Sequence, residues 1–165
     1  MSFLNVVEIE SAVIALARTY PDLCRLITLP HLTVEGRQSH ALKIGRSDCP
    51  RSTVLIISGT HAREWGGPDI VVDFAADLLE AYSLGTGLAY GGTSFTASQV
   101  GAILNGIDVI AFPDINPDGR HHSQTVYPMW RKNRNPASSG GVPTRIGIDI
   151  NRNYDFLWSS TIGQT

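Results

Sequence analysis

The apolar positions of this chain follow two different periods, and their alternation predicts helices interspersed with strands. Apolar residues at every third or fourth position predict a first helix that Asn5 caps and Pro21 ends. The same spacing predicts a helix that begins near Pro68 and a short helix from Ala97 to Leu104. Short apolar runs predict four strands: Cys24 to Leu29, His40 to Ile44, Thr53 to Ser58 and Ile107 to Phe112.

This order of elements indicates a single α/β domain over residues 1–165, with a mixed, mostly parallel central sheet and helices on both faces. The run from Thr53 to Ser58 is apolar at successive positions, which predicts a central strand covered on each side. Regular patterns weaken elsewhere. Gly85 to Ser94 is predicted to be a loop, Asn116 to Gly119 a turn, and Ile146 to Ile150 a last short strand.

Three polar residues directly follow predicted strands in this pattern. They are His61, Asn116 and Asn151. In open α/β sheets, ligands bind at the carboxyl ends of the strands. The sequence therefore predicts a functional site at this edge of the sheet.

Composition narrows the classes of partner. The chain has 165 residues, of which 42% are hydrophobic and 17% charged, and a net charge of −2, so it is neither a disordered chain nor a polybasic nucleic-acid binder. Apolar runs stay below the roughly 18 residues of a membrane helix, so no membrane partner is expected. Cys24 and Cys49 provide no disulfide framework and no cysteine-based zinc site. The first residues show no signal peptide, which leaves a cytoplasmic location and secretion with a removed leader both open.

His61 and Glu64 are the first candidates for chemistry. An imidazole and a carboxylate three residues apart can converge on one cation if the backbone begins a helical turn between them. A neutral histidine nitrogen and a carboxylate oxygen suit Zn²⁺. The alternative is a surface pair that binds no metal, but the position just after a buried strand favours a site.

Two arginine-containing segments are the second candidates. Residues 130–134 read WRKNR, and Arg152 lies between two asparagines after a predicted strand. A guanidinium binds a carboxylate with two parallel hydrogen bonds, which suits a substrate with a free carboxyl group. The alternative is that the arginines face solvent or pair with nearby aspartates, namely Asp114, Asp118 and Asp155.

Four blocks of sequence resemble the zinc metallocarboxypeptidases of the carboxypeptidase A and B type, in both order and spacing. They are THAREW at 60–65, NPDG at 116–119, WRKNR at 130–134 and GIDINRN at 147–153. The tripeptide EGR at 35–37 resembles an earlier block of that family. The resemblance extends over essentially the whole chain and implies the N-terminal portion of the family's catalytic domain.

The resemblance implies a zinc site. His61 and Glu64 match the first two protein ligands of one zinc ion. Asp149 matches an aspartate that accepts the other ring N–H of His61 and thereby fixes its tautomer.

The resemblance also implies roles in catalysis and substrate binding. Arg131 matches the catalytic arginine that polarises the scissile carbonyl and stabilises the oxyanion. Asn151 and Arg152 match the pair that holds the terminal carboxylate of a peptide, and Arg63 matches a residue of the neighbouring subsite. The implied substrate is a peptide or protein with a free C-terminal carboxylate.

The chain departs from the family's pattern in its second half. The third zinc ligand, a histidine, has no match here, and the general-base glutamate and substrate-capping tyrosine are expected beyond Thr165. His121 and His122 are interpreted as loop or surface residues. We therefore expect weak zinc binding, negligible activity of the isolated chain, and self-association through an exposed sheet edge.

The sequence thus predicts a zinc-dependent metallocarboxypeptidase that removes C-terminal amino acids, present as an incomplete catalytic domain. One alternative is a related zinc amidohydrolase or deglutamylase, which would share His61 and Glu64. Another is a non-catalytic domain that binds carboxylate-terminated peptides through Asn151 and Arg152. The side-chain preference for substrates stays open, because the family's specificity residue lies in the part with no match.

Overall fold

The computed structural model describes residues 2–45 and 51–154, and these contain helices and strands in alternation. In chain order the elements are α1 (Val6–Thr19), β1 (Cys24–Thr28), β2 (His40–Ile44), β3 (Thr53–Ile57), α2 (Gly66–Leu84), β4 (Leu88–Tyr90), β5 (Thr93–Phe95), α3 (Ala97–Gly106), β6 (Asp108–Phe112) and α4 (Pro117–Thr125). Short 3₁₀ helices follow at Pro136–Ser139, Pro143–Arg145 and Ile150–Arg152.

The central sheet has the strand order β1-β2-β6-β3. Strands β1 and β2 pair antiparallel, as do β2 and β6, whereas β3 pairs parallel with β6. The predicted α/β class with a mixed sheet is confirmed. Among the described strands of this sheet, one of the three pairings, that of β3 with β6, is parallel.

Helices α1, α2 and α3 enclose the core on one face of the sheet. Asn5 begins α1 through a reciprocal cap, because its side chain accepts from the amide of Glu8 while Glu8 accepts from the amide of Asn5. The buried apolar side chains form one cluster: Val13, Cys24, Leu42, Ile44, Val71, Ala75, Leu78, Leu79, Ala81, Val100, Leu104, Val109 and Ala111. This packing fixes the sheet, and with it the ends of β3 and β6 where the site lies.

Strand β3 differs from the prediction of a strand covered on both sides. Leu55 is 60% exposed and Ile57 is 43% exposed, and both project from the face opposite the core cluster. Within residues 2–45 and 51–154, β3 lies at the end of the sheet and pairs with β6. The apolar character of the strand therefore exceeds what the described residues bury.

Two stretches predicted as irregular are in fact regular. The predicted loop Gly85 to Ser94 contains most of a small antiparallel hairpin, β4 and β5. Its strands have three residues each, too few to give a recognisable alternation. The predicted turn Asn116 to Gly119 is the capped first turn of α4, with Pro117 at a position where its missing N–H costs nothing.

The strand predicted from Ile146 to Ile150 is wrong. Gly147 takes a left-handed conformation (φ +80°), and its amide donates to the backbone oxygen of Asn135 (2.9 Å). Ile148 donates to the side chain of Asn133 instead of to a neighbouring strand. The segment therefore pairs with the loop 133–135 and not with the sheet.

Two predictions concern residues outside the described part. Cys49 lies in the undescribed segment 46–50, and Asp155, named as a possible partner of the arginines, lies beyond the described residues. Among the described residues, no helix combines the length and the apolar character that crossing a bilayer requires.

Candidate functional site

The loop between β3 and α2 carries His61 and Glu64. His61 is 8% exposed, whereas the Glu64 side chain is 59% exposed. The amide of Glu64 donates to the backbone oxygen of His61 (3.0 Å), so the chain turns tightly between them. His61 Nδ1 consequently lies 2.8 Å from Glu64 Oε1, and the two potential metal ligands point to one place at the mouth of the loop.

Asp149 lies on the other side of the His61 ring. Its Oδ1 is 3.3 Å from His61 Nε2, although the contact lacks the geometry of a hydrogen bond. Its Oδ2 accepts a hydrogen bond of 2.7 Å from Arg131 Nε. The structure therefore brings four of the predicted site residues together in the order Glu64, His61, Asp149 and Arg131.

The charges of this cluster favour an ionised Asp149. Partial burial acts to raise its pKa, but the hydrogen bond and charge of Arg131, with a smaller contribution from His61, outweigh burial and lower it. The carboxylate thus stays negative beside the imidazole at neutral pH. Its negative charge beside Nε2 favours a proton on that nitrogen, and Nδ1, at hydrogen-bond distance from Glu64, is then the ring atom that a cation would bind.

One face of α4 anchors the loop 60–65. Three buried side chains at spacing i, i+4 and i+7 donate to its backbone oxygens: Asn116 to Thr60 (3.2 Å), Arg120 to Trp65 (3.0 Å) and Ser123 to Ala62 (2.6 Å). Ser123 also accepts from the indole N–H of Trp65 (2.8 Å). Sequence reasoning missed Arg120 and Ser123, although polar residues recurring at helical spacing could have indicated a buried polar face.

The segment around Arg131 is held from two sides. Its backbone oxygen accepts from the amide of Ala62 (3.1 Å), which joins it to the His61 loop. Asn133 and Ile148 exchange hydrogen bonds, with the Asn133 amide bound to the Ile148 oxygen and the Ile148 amide to the Asn133 side chain. Arg131 and Asp149 therefore belong to one paired unit, which faces the loop of His61.

The remaining predicted residues are more exposed. Asn151 and Arg152 lie on the 3₁₀ helix that directly follows Asp149, where the Asp149 side chain caps the amide of Asn151 (3.0 Å). The guanidinium of Arg152 donates to the backbone oxygen of Asn151 (2.9 Å). Arg63 lies between His61 and Glu64 with its side chain at the surface.

The EGR block contributes to the frame of the site. Asp118 on α4 accepts from Arg37 (2.6 Å) and from the amide of Glu35 (3.0 Å). Glu35 in turn accepts from Arg134 (3.3 Å), whose guanidinium lies over the Trp130 ring at 4.9 Å. This charged network links the loop 33–37 to α4 and to the segment of Arg131.

His121 and His122, predicted to be loop or surface residues, lie on α4 instead of in a loop. His121 is exposed, and His122 is half-buried against Trp130, with ring centroids 4.8 Å apart. Neither residue belongs to the chain of contacts from Glu64 to Arg131 described above.

Asp114, just after β6, is a buried carboxyl that was predicted only as a possible partner for arginines. Its Oδ1 accepts from the Asn116 amide (3.2 Å), while its Oδ2 has no hydrogen-bond partner among the described residues. Burial raises its pKa to about 7, although the charge of Arg120 acts in the opposite direction. This carboxyl is held close to Gly59, two residues before His61.

The donor types and their convergence fit a zinc ion, and the chain contributes a partial ligand set. His61 Nδ1 and Glu64 Oε1 are ligand atoms that zinc prefers. Within the described residues, no group of three or more His, Cys, Asp or Glu side chains has the arrangement of a complete metal site. These two residues would therefore hold the metal from one side.

Comparison with known protein families gives a match over most of the chain. The sequence model of the zinc carboxypeptidase family matches residues 9–165. The chain belongs to the zinc carboxypeptidase family. Carboxypeptidases of this family bind peptide substrates.

Curated relatives are fungal proteins named inactive metallocarboxypeptidase ECM14. The protein of Ajellomyces dermatitidis is 34% identical over 148 residues, which are 87% of this chain and 22% of the relative. The protein of Paracoccidioides lutzii is 35% identical over 134 residues, or 79% of this chain and 20% of the relative. The chain thus spans about a fifth of the length of these relatives.

Solved structures of carboxypeptidases share the fold. Bovine thrombin-activatable fibrinolysis inhibitor, in complex with tick carboxypeptidase inhibitor, matches with a TM-score of 0.71 and 25% identity, over 93% of this chain and 44% of that one. Carboxypeptidase A from Helicoverpa armigera matches with a TM-score of 0.75 and 24% identity, over 97% of this chain and 36% of that one. The N-terminal position of the chain within the family fold, as predicted, is consistent with this coverage.

Proposed function

We propose that this chain is the N-terminal part of a zinc-dependent metallocarboxypeptidase domain, which hydrolyses C-terminal amino acids from peptides, and that the 165-residue chain alone is inactive. The observation that carries the proposal is the contact series Glu64, His61, Asp149 and Arg131. It combines two converging ligands of the kind that zinc prefers with the guanidinium of Arg131, beyond the carboxyl ends of β3 and β6. Family membership supports the reaction class.

Each member of the cluster has a distinct task in this proposal. His61 and Glu64 hold the zinc ion, which when bound lowers the pKa of water and polarises a carbonyl. Asp149 keeps the His61 ring in the tautomer that frees Nδ1. Arg131, about 29% exposed at its side chain, presents its guanidinium where a tetrahedral intermediate becomes anionic.

The residues near the end of the described chain supply exopeptidase specificity in this proposal. Arg152 and Asn151 are exposed, so they are accessible to the terminal carboxylate of a peptide. An internal peptide bond lacks a charged group at this position and leaves the guanidinium without a partner. Arg63, at the surface beside Glu64, is positioned to line an adjoining subsite.

Zinc titration by calorimetry tests the metal site. We expect affinity well short of nanomolar, because two protein ligands are fewer than a structural or catalytic zinc site uses. Glu64→Gln should weaken binding at least about tenfold, or about 1.4 kcal/mol. Glu80→Gln, at an exposed position of α2, is the matched control. Nanomolar affinity, or equal affinity of the wild type and Glu64→Gln, would contradict the assigned ligand set.

A peptidase assay tests the proposal that the 165-residue chain alone is inactive. Purified protein with zinc should release no C-terminal amino acid from peptide mixtures, because none of the described residues is proposed as a general base. Appreciable release would overturn this part of the proposal.

A non-catalytic peptide-binding domain is the second candidate, and the names of the fungal relatives favour it. In this case binding would depend on Asn151 and Arg152 and not on metal. Fluorescence anisotropy with a free-carboxylate peptide and its C-terminal amide separates the two candidates. Binding that survives both chelation and Glu64→Ala selects the second.

The surface of β3, the last strand of the described sheet, supports self-association of this chain. Leu55 and Ile57 expose apolar side chains on one face of β3. Because β3 is also the last strand of the described sheet, its outer edge can pair with a strand of another copy. We expect sedimentation at increasing concentration to show dimers or larger species, which Leu55→Lys should reduce. A monomer at all concentrations would contradict this.

A further inference from the structure

Asn116 occupies a buried position at the start of α4, between the two halves of the site. Its Oδ1 accepts from the Gly119 amide (3.2 Å), which caps the helix. Capping needs only an acceptor, and an aspartate would serve equally well. The carboxamide nitrogen is therefore not explained by the cap.

The nitrogen of Asn116 makes two hydrogen bonds with different segments. Nδ2 donates to the backbone oxygen of Thr60 and to that of Lys132, both at 3.2 Å. Thr60 directly precedes His61, and Lys132 directly follows Arg131. A single amide group thus joins the backbone beside the proposed zinc ligand to the backbone beside the proposed catalytic arginine.

Gly119 provides an independent indication that this junction is tightly built. A Cβ at position 119 would lie 2.6 Å from Asn116 Oδ1, from Asn116 Nδ2 and from the Lys132 oxygen. Gly119 has an ordinary negative φ, so the backbone conformation does not demand glycine here. What demands it is the close approach of the Lys132 backbone and the Asn116 carboxamide.

We propose that Asn116 is a positioning residue, which sets the separation between the His61–Glu64 pair and Arg131. This role rests on the proposed function in one respect: the separation matters for catalysis only if His61 and Glu64 hold zinc and Arg131 acts on the substrate. The unit of Arg131 and Asp149 is held together internally by its own hydrogen bonds. Asn116 instead fixes this unit against the loop of His61, in parallel with the bond from the Ala62 amide to the Arg131 oxygen.

Hydrogen exchange and side-chain NMR of the full 165-residue chain test this inference. In Asn116→Asp the cap is kept but the donor is lost. We expect the exchange rate of the Ala62 amide, relative to that of the Ile148 amide, to rise about tenfold, which corresponds to about 1.4 kcal/mol. The His61 ring nitrogen signals should shift, while the Arg131 Nε–H signal stays, because its partner Asp149 moves with it.

Gly119→Ala provides a second way to open the junction and should give the same pattern, so the test does not depend on Asn116→Asp folding. Asp118→Asn is the matched control: it lies in the same turn and is buried, but it contacts the loop 33–37. It should lower stability while leaving the Ala62 to Ile148 ratio unchanged. A general loosening in all three variants, or a wild-type ratio in Asn116→Asp and Gly119→Ala, would overturn the inference.

Zinc titration of the wild type separates this inference from the proposed function. Failure to bind zinc contradicts the proposed function, whereas the exchange ratio and the His61 signals decide the role of Asn116 in either case.

Discussion

The loop that carries His61 and Glu64 and the turn that carries Asn151 and Arg152 are built in different ways. Three buried side chains, two on α4 and one on its capping residue Asn116, hold the backbone oxygens of the loop at Thr60, Ala62 and Trp65. The turn follows Asp149 as a short 3₁₀ helix, and both Asn151 and Arg152 are exposed. The first region is fixed by tertiary contacts, and the second by local bonds.

This difference matches the chemistry proposed for each region. Metal ligands and an oxyanion-stabilising cation must be placed within fractions of an ångström, which buried anchors achieve. A terminal carboxylate arrives from solvent and can be met by an accessible guanidinium. The contrast predicts that substitutions in the two regions affect stability and binding to different extents.

The largest effect is expected for Arg120, the buried anchor of the first region. Its guanidinium donates to the oxygens of Leu4 and Trp65 and pairs with Asp69. Arg120→Met should lower the free energy of unfolding by roughly 3–5 kcal/mol, because several buried acceptors lose their donor. Urea unfolding measures it, with Arg152→Met as the control. Equal, small effects of both substitutions would contradict the contrast.

The next largest effect is expected for Asp114, whose titration makes the free energy of unfolding depend on pH. Arg120, Glu10 and Asp118 are the charged groups that act on it, together with the Asn116 amide. Its pKa is raised from 3.8 to about 7, so between these values the folded chain retains a proton that the unfolded chain releases. The contribution of Asp114 to the free energy of unfolding is therefore complete below pH 3.8, and it is lost as the pH rises from 3.8 to about 7.

Asp114→Asn should remove this dependence. The unfolding free energy of the variant relative to the wild type should increase between pH 4 and pH 8, by at most about 4 kcal/mol. Urea unfolding across that range measures the difference, with Asp22→Asn, an exposed aspartate, as control. A difference that does not change with pH would show that Asp114 titrates normally.

The smallest effect on stability is expected for Arg152. Arg152→Gln should change the unfolding free energy by less than about 0.5 kcal/mol, since the side chain is exposed. Its affinity for a free-carboxylate peptide should nevertheless fall about tenfold, with no change for the C-terminal amide. A large loss of stability, or equal binding of the two peptides by the wild type, would contradict the assigned role.

Much of the fold could be predicted from local signals. The cap at Asn5 and the apolar period after it predicted α1, and the short apolar runs predicted the strands of the central sheet. The hairpin of β4 and β5 was missed because three-residue strands carry too little alternation. The predicted strand at 146–150 was wrong because Ile148 pairs with Asn133, a contact between loops that apolar runs do not indicate.

The site was predictable in its members but not in its frame. His61, Glu64, Arg131 and Asp149 were indicated by motif resemblance, and the structure brings them into one series of contacts. Arg120 and Ser123 were missed, since an arginine or serine in a polar helix is ordinarily interpreted as exposed. Their burial depends on which face of α4 meets the loop 60–65, and that is set by packing.

The sequence by itself determined the α/β class, most of the element order and the family, because periodicity, capping and motif spacing are written in neighbouring residues. Only the tertiary structure decided that one face of α4 anchors the His61 loop and that Asn116 joins it to the segment of Arg131. The same holds for Asp114, which the fold buries with one oxygen unpartnered. The physical reason is that hydrogen bonds between residues 16 to 61 positions apart depend on how whole elements pack.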